Sequence, residues 1–198
     1  MQPLTMNDIQ PLDEYLKVRD ERRRQAIALR NRRRVSLGDR LSLGFENRET
    51  VAYQVQEMMR AEHMREPAKI QEEIDTYNQL VPGKDELSAT LFIEIPDQSL
   101  IRQELHRFAG IEESIFMVLP DGQRIQAEPD EHRSKERRGE ETTASVHYLR
   151  FHLGEQGRRS FLEGKGRVVV ESVHPQYREQ AVIGGETWDS LAEDLRQS

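Results

Sequence analysis

Apolar residues recur at helical spacing over residues 48–64, which predicts an amphipathic helix. Val51, Val55 and Met58 share one arc of that helix, and Glu62 falls on the same arc. A carboxylate on an apolar arc needs a cationic partner when it is buried. The pattern therefore predicts that Glu62 is at least partly buried beside an arginine of the preceding helix, unless the predicted helix ends before it.

The remaining chain alternates between helical and extended patterns. Turn and capping signals divide it into further elements. Helices are predicted over residues 12–34, from Pro67 to about residue 81, from about residue 99 to Phe108, over 156–162 and over 186–195. Single strands are predicted over 87–96, 144–153 and 167–173, and residues 174–177 are expected to leave the sheet.

A first hairpin is predicted over residues 35–45. A three-residue loop would pair Leu37 with Leu41 and Val35 with Leu43, so that all four side chains share one face. A two-residue loop would divide them between the two faces. The hydrophobic pattern therefore favours the three-residue loop.

A second hairpin is predicted around Asp121 and Gly122, which are typical of a two-residue turn. That turn would pair Val118 with Ile125 and Phe116 with Ala127. Residues 128–142 contain no leucine, isoleucine, valine or phenylalanine, so we expect a solvated loop there.

The order of elements predicts an α+β fold: N-terminal helices with a β-hairpin, followed by an antiparallel sheet with helical connections. We expect a single domain over residues 1–198, or two closely packed lobes. The lobes would be residues 1–82, helical with a hairpin, and residues 87–198, rich in strands.

Composition narrows the classes of function. The chain has 198 residues, no cysteine and a net charge of −7. Disulfides, thiolate catalysis, iron–sulfur ligation and cysteine zinc sites are thereby excluded. No apolar run reaches the roughly 20 residues of a membrane span, and no signal pattern is visible, so a cytoplasmic location is expected. The net charge also argues against a general nucleic-acid-binding protein.

Basic residues concentrate in the first helix. Residues 19–34 contain eight arginines against two acids, a local charge of +6. Such a face could bind phosphate groups or nucleic acid. We interpret it instead as pairing with acids of the same chain, because the remainder is strongly acidic. The expected partners are Glu46, Glu57 and Glu62.

The six histidines do not form a metal-binding pattern. His147 and His152 are five residues apart on a predicted strand, so they point to opposite faces. His147 shares its face with apolar residues, which favours a hydrogen-bonded core histidine. His174 and Tyr177 lie at a strand exit, where they either form a site or brace a turn. We predict that the protein holds no stoichiometric metal and no cofactor.

Several runs of residues, spread over the whole chain in order, resemble the bacterial domain-of-unknown-function 3501 family. These runs are residues 45–48, 54–58, 60–62, 77–78, 81–82, 88–90, 146–151 and 174–177. The resemblance implies a bacterial protein of about this size without an assigned activity. It also implies a genomic setting beside rubrerythrin-like diiron proteins and iron–sulfur redox proteins, and hence a redox or peroxide-stress setting.

Two hypotheses follow. The first is a non-catalytic accessory or binding protein that works with rubrerythrin-like or iron–sulfur redox proteins. The second is a small-ligand binder or enzyme that uses an Arg/Glu/Gln cluster for an anionic group. A pocket converging on the cluster would favour the second hypothesis, and a buried network without a pocket would favour the first. The candidate site residues are Arg22, Arg23, Glu46, Arg48, Gln54, Glu57, Glu62, His147, His174 and Tyr177.

Overall fold

A computed structural model describes residues 1–130 and 143–197 of the chain. Within these residues the protein forms six α-helices and two antiparallel sheets, so the predicted α+β class is confirmed. The loop predicted over 128–142 lies mostly outside the described residues. Its first two residues form a short strand.

The helices agree with the predicted ones to within a few residues at their ends. They are α1 (Leu12–Asn31), α2 (Arg48–Ala61), α3 (Pro67–Asn78), α4 (Ile101–Arg107), α5 (Gly154–Leu162) and α6 (Gly185–Gln197). Three short 3-10 helical turns accompany them, at Met6–Asp8, Gln98–Leu100 and Ile111–Ser114.

The strands form one sheet of five and one of four. They are β1 (Arg34–Leu37), β2 (Leu41–Glu46), β3 (Glu86–Ile93), β4 (Ile115–Val118), β5 (Arg124–Gln126), β6 (Glu128–Pro129), β7 (Val146–His152), β8 (Val168–His174) and β9 (Tyr177–Ile183). The first sheet has the order β1, β2, β3, β7, β6, and the second has the order β5, β4, β8, β9. β2 and β3 pair directly, which joins the N-terminal hairpin to the later strands in one sheet.

The register predicted for the first hairpin is confirmed. Leu37 lies opposite Leu41 and Val35 lies opposite Leu43, and all four side chains are buried. Gly38 begins the three-residue loop at φ 65°, in the left-handed region that favours glycine. The alternation of apolar residues therefore determined the face, and the glycine permits the turn.

The register predicted for the second hairpin is wrong by one residue. Phe116 lies opposite Gln126, and Met117, not Val118, lies opposite Ile125. As a result Ile115 and Met117 face the core and are fully buried, whereas Phe116 and Val118 are half-buried.

The cause of the shift is a longer loop. Leu119 accepts a hydrogen bond from the amide of Gly122 at 2.9 Å and donates its own amide to the carbonyl of Gln123 at 2.8 Å. Pro120 occupies the second position of this turn, and Gly122 follows at φ 88°. A turn with proline at its second position and a left-handed glycine after it closes a three-residue loop. Pro120 therefore determines the loop length, although the Asp–Gly pair favours a two-residue turn.

The prediction that residues 174–177 leave the sheet is also wrong. β8 turns at Pro175 and Gln176 into β9, with His174 opposite Tyr177. β9 is an edge strand of the second sheet, and its residues 178–180 are all exposed. A strand with so few buried positions lacks the apolar alternation by which strands are recognised.

The inner faces of both sheets share one contiguous hydrophobic core. Helices α5 and α6 close it, and Trp188 of α6 stacks on Phe161 of α5 with ring centroids 6.0 Å apart. Because side chains alternate along a strand, the residues between the core positions of β2, β3 and β7 point to the opposite, outer face of the first sheet.

Helices α2 and α3 and the N-terminal segment form a second, smaller apolar cluster beside that outer face. Asn47 begins α2, and its side-chain oxygen accepts hydrogen bonds from the amides of Glu49 and Thr50. The cap follows β2 at once, so the strand end and the helix start are held together at this point.

Of the two alternatives for Glu62, the buried ion pair is wrong and the earlier end of the helix is confirmed. Helix α2 ends at Ala61, and Glu62 caps it at φ −98° with an exposed side chain. The next residue, His63, adopts a left-handed φ of 53° and turns the chain away. The helical periodicity therefore stops one residue before it would have buried the carboxylate.

Candidate functional site

A row of four residues crosses the outer face of the first sheet. Gly44 of β2 lies opposite Arg34 on one side and Thr90 on the other, and Thr90 lies opposite Tyr148 of β7. Glycine has no side chain and threonine has a small one. The middle of the row is therefore lower than its two ends.

Helices α1, α2 and α3 cover this depression and leave a cavity of about 240 Å³. Arg30 of α1, Gln54 of α2 and Tyr77 of α3 line it from the helical side. Arg30, Arg34 and Val146 are exposed, which places the rim of the cavity at these residues.

Glu46 is the acidic group of the cavity. Its carboxylate accepts hydrogen bonds from the hydroxyl of Thr50 at 2.5 Å and from that of Thr90 at 2.7 Å. Both threonines are buried, and Thr50 belongs to the capped first turn of α2. Within residues 1–130 and 143–197, no cationic group lies within 4 Å of this carboxylate. Glu46 is thus a half-buried acid held in place by hydroxyl groups.

Arg30 is the matching basic group. It donates to the side-chain oxygen of Gln54 at 2.9 Å, and its guanidinium lies 5.5 Å from the ring centroid of Tyr53. In the described part of the chain, it has no carboxylate within 4 Å. Its position is therefore set by an amide and an aromatic ring, which leave its charge uncompensated.

Arg34, the other arginine of the rim, is compensated. It donates to Glu94 at 2.7 Å and lies over the ring of Phe92 at 5.2 Å from the centroid. Arg34 therefore serves mainly as the wall of the cavity.

The other walls are apolar or aromatic. Val51, Leu80, Phe92 and Val146 line the cavity together with Tyr148. The described lining contains no histidine or lysine, and the chain has no cysteine. The arrangement is suited to holding a small molecule by its charges and its apolar body.

Of the ten candidate residues, Glu46 and Gln54 line this cavity. Arg22 is exposed and lines a separate cavity of about 410 Å³ between α1 and α2, and Arg23 is exposed on α1. Arg48 pairs with Asp8 of the N-terminal segment at 2.5 Å. The predicted cluster is thus divided among separate places.

Glu57 lies in an ion-pair network between α1 and α2. It accepts two hydrogen bonds from Arg19, both at 2.9 Å, one from Tyr15 at 2.6 Å and one from Arg60 at 3.2 Å. The hydrogen bonds from Arg19 are the largest cause that lowers the pKa of Glu57 to about 2. The predicted pairing of the arginine helix with the chain's own acids is correct for this residue.

His147 is hydrogen-bonded as expected. Its Nε2 lies 2.9 Å from both the hydroxyl of Thr143 and the carbonyl of Ala144. Glu112 lies further away, with a carboxylate oxygen at 3.9 Å. The ring is mostly buried and fixes the start of β7.

His174 and Tyr177 brace the hairpin between β8 and β9. His174 Nε2 lies 3.1 Å from the carbonyl of Ala109, and its Nδ1 accepts from the amide of Gln176 at 3.3 Å. The Tyr177 hydroxyl donates to the carbonyl of Leu37 at 2.8 Å, which ties the second sheet to the first hairpin. These contacts match the bracing alternative.

Comparison with known proteins gives a family. The family described as "Protein of unknown function (DUF3501)" matches residues 3–195. The chain belongs to this family, as the resemblance implied. It is also similar to a crystal structure of a novel protein of unknown function from Burkholderia pseudomallei, with 36% sequence identity and a TM-score of 0.90. That similarity covers 98% of this chain and 100% of the other. No match was found among curated proteins.

For this member of the family, sequence reasoning missed Arg34, Thr90 and Tyr148 as lining residues and did not single out Arg30. One signal was available. Thr90 and Tyr148 are polar or amphipathic at positions that alternate with the core residues of β3 and β7. Such positions point away from the core, and the pairing of the strands brings them side by side.

Two absences can be stated. Residues 1–130 and 143–197 contain no group of three or more histidine, aspartate or glutamate side chains arranged to hold a metal ion. The helices of this same part are too short or too polar to cross a membrane. The absence of a stoichiometric metal and the expectation that the protein is not a general nucleic-acid-binding protein stay predictions.

Proposed function

We propose that this protein binds a small organic molecule in the cavity between α1, α2, α3 and the outer face of the first sheet. The observation that supports this function is the pair of uncompensated charges, Glu46 and Arg30, on the lining of one cavity. Arg30 is exposed and solvated at the rim, whereas the carboxylate of Glu46 is half-buried and is stabilised by a partner of opposite charge. A cationic group of a bound ligand would supply that partner.

The rest of the fold shows how this chain treats a charge that serves structure. Arg33 and Asp194 form a buried ion pair at 2.5 Å, and Glu57 has several donors. Glu46 differs, because within residues 1–130 and 143–197 only the hydroxyls of Thr50 and Thr90 donate to its carboxylate. A pocket that includes Glu46 and Gln54 favours the ligand-binding hypothesis over a purely structural network.

The accessory role beside rubrerythrin-like or iron–sulfur redox proteins stays a prediction of the family resemblance. The cytoplasmic location stays a prediction from the sequence. The ligand-binding proposal does not depend on either prediction. The enzyme alternative also stays a prediction.

The test is a binding screen with a blocked cavity. Amide NMR spectra of the protein are recorded with a panel of small aromatic and aliphatic amines, carboxylates, amino acids and alcohols. Gly44→Val places a β-branched side chain on the cavity floor, where an added Cβ would meet Phe92 at 3.4 Å, an ordinary contact. Ser36→Val is the matched control, because Ser36 is exposed on the same outer face but does not line the cavity.

We expect at least one compound to shift the amide signals of Gly44, Thr90 and Tyr148. Gly44→Val should abolish these shifts and Ser36→Val should preserve them. The proposed function is wrong if no compound of the panel shifts these signals. It is also wrong if the shifts persist unchanged in a correctly folded Gly44→Val protein.

A further inference from the structure

We infer that the ligand is a zwitterion of the amino-acid type, with an ammonium group, a carboxylate group and an apolar body. This inference rests on the proposed function and adds the chemical class of the ligand. It follows from three features of the cavity: the acceptor at Glu46, the donor at Arg30 and the apolar residues of the lining.

Glu46 can accept more hydrogen bonds than it receives. An ionised carboxylate offers about four acceptor positions, and the hydroxyls of Thr50 and Thr90 occupy two of them. Both hydroxyls keep the carboxylate in one orientation at the cavity. An ammonium group brings three donors and one positive charge, which matches the unused acceptors and the uncompensated charge.

Arg30 provides the hydrogen-bond donors and the positive charge that a carboxylate group requires. A guanidinium has five N–H donors, and Gln54 accepts one of them. The ring of Tyr53 supports the guanidinium by a cation–π contact, which limits the orientations it adopts. A carboxylate is the group that such a fork binds best. Arg34 is less suited to this role because Glu94 already neutralises it.

The size of the cavity and its apolar lining limit the rest of the ligand. The cavity of about 240 Å³ is smaller than the roughly 300–1,000 Å³ of sites for drug-sized molecules. Val51, Leu80, Phe92 and Val146 present apolar surface to it. The fitting molecule is therefore about as large as a hydrophobic amino acid. A ligand with only one charge would leave either Arg30 or Glu46 unmatched.

Five probes separate these contributions: L-phenylalanine, L-leucine, phenethylamine, hydrocinnamate and benzyl alcohol. Phenethylamine lacks the carboxylate of phenylalanine, hydrocinnamate lacks its ammonium group, and benzyl alcohol lacks both. Dissociation constants are measured by NMR titration of the Gly44, Thr90 and Tyr148 amides. We expect at least one amino acid to bind about tenfold more tightly than either singly charged probe, since a charge-assisted hydrogen bond is lost with each group.

Two variants assign the two ends. Glu46→Gln keeps the length of the side chain and removes its charge. It should therefore weaken the binding of the amino acid and of phenethylamine about tenfold and leave the binding of hydrocinnamate unchanged. Arg30→Gln should weaken the binding of the amino acid and of hydrocinnamate by a similar factor and leave the binding of phenethylamine unchanged. Arg23→Gln is the matched control for Arg30, because Arg23 is an exposed arginine of the same helix outside the cavity.

The outcomes are distinguishable. If the amino acids bind no better than the singly charged probes, or if Arg30→Gln behaves like Arg23→Gln, the zwitterion inference is overturned. Small-molecule binding survives in that case as long as another compound occupies the cavity. If no compound of the wider panel binds, the proposed function itself has failed. Arg30 is exposed, so its variant gives a result even if Glu46→Gln does not fold.

Discussion

Arg30 and Arg33 lie three residues apart at the end of α1, yet the fold gives them different surroundings. Arg33 is 1% exposed, and it donates to the carbonyls of Phe45 and Glu46, to the hydroxyl of Ser190 and to Asp194. Arg30 is exposed, contacts Gln54 and Tyr53, and lines a cavity.

One run of arginines thus contains a residue with several buried partners and a residue on the rim of a cavity. Arg33 joins α1 to the end of β2 and to α6, and thus stabilises the contact between the two ends of the chain. Burial raises the pKa of Asp194, and the charge of Arg33 opposes that rise. Arg30 has no comparable structural partner in the described residues. We therefore expect Arg33 to determine stability and Arg30 to determine binding.

The largest effect is expected for Arg33→Met. Removing the guanidinium leaves Asp194 buried without its cation, so the free energy of unfolding should fall by about 3–5 kcal/mol. Urea unfolding measures this. Arg32→Met is the control, because Arg32 is exposed and should change stability by no more than about 0.5 kcal/mol.

A double variant sharpens this prediction. Adding Asp194→Leu to Arg33→Met removes the stranded carboxylate, so at least about 1 kcal/mol should be recovered. A double variant no more stable than Arg33→Met alone would show that the ion pair is not the source of the loss.

The next effect is expected for Glu57→Gln, which removes the charge that Arg19 and Arg60 bind. The free energy of unfolding at pH 7 should fall by on the order of 2 kcal/mol, reduced by partial solvation. The pKa of Glu57 is lowered from 4.5 to about 2 in the folded protein. The stabilisation is therefore fully present above pH 4.5 and is lost as the pH falls through about 2.

Urea unfolding of both proteins between neutral pH and pH 2 measures this dependence. The difference between the parent and Glu57→Gln should shrink as the pH falls. Glu14→Gln is the control, because Glu14 belongs to an exposed pair with Lys17 and should show only a small difference at any pH. A difference that is constant from pH 7 to 2 would contradict the lowered pKa.

A smaller effect on stability is expected for Glu46→Gln. Its amide oxygen can still accept a hydrogen bond from a threonine hydroxyl, so the free energy of unfolding should change by about 1 kcal/mol or less. Thermal or urea unfolding checks this beside the binding titrations. A loss of stability as large as that of Arg33→Met would show that Glu46 stabilises the fold as Arg33 does. It would contradict the expected division between residues for stability and residues for binding.

The smallest effect is expected for Glu62→Ala. The side chain is exposed at the end of α2, so stability should change by no more than about 0.5 kcal/mol. Urea unfolding measures this change in stability. A loss of several kcal/mol would restore the buried ion pair that the helical pattern predicted.

The sequence by itself determined the features whose causes are local. The start of α2 follows from Asn47 and the helical spacing after it, and the register of the first hairpin follows from alternation around one loop. The predicted register of the second hairpin was wrong because Pro120 and the Asp–Gly pair favour loops of different length, and local signals did not decide between them. The core face of β7 was predicted because Leu149 and Phe151 alternate with more polar residues.

Only the tertiary structure decided which charges have partners. Arg33 and Asp194 are 161 residues apart in the chain, and any of many acids could have been the partner. The cavity has the same origin, because Gly44, Thr90 and Tyr148 come from three strands that become neighbours only when the sheet forms. Electrostatic pairing and empty space depend on distances in three dimensions, whereas helices and turns depend on neighbours along the chain.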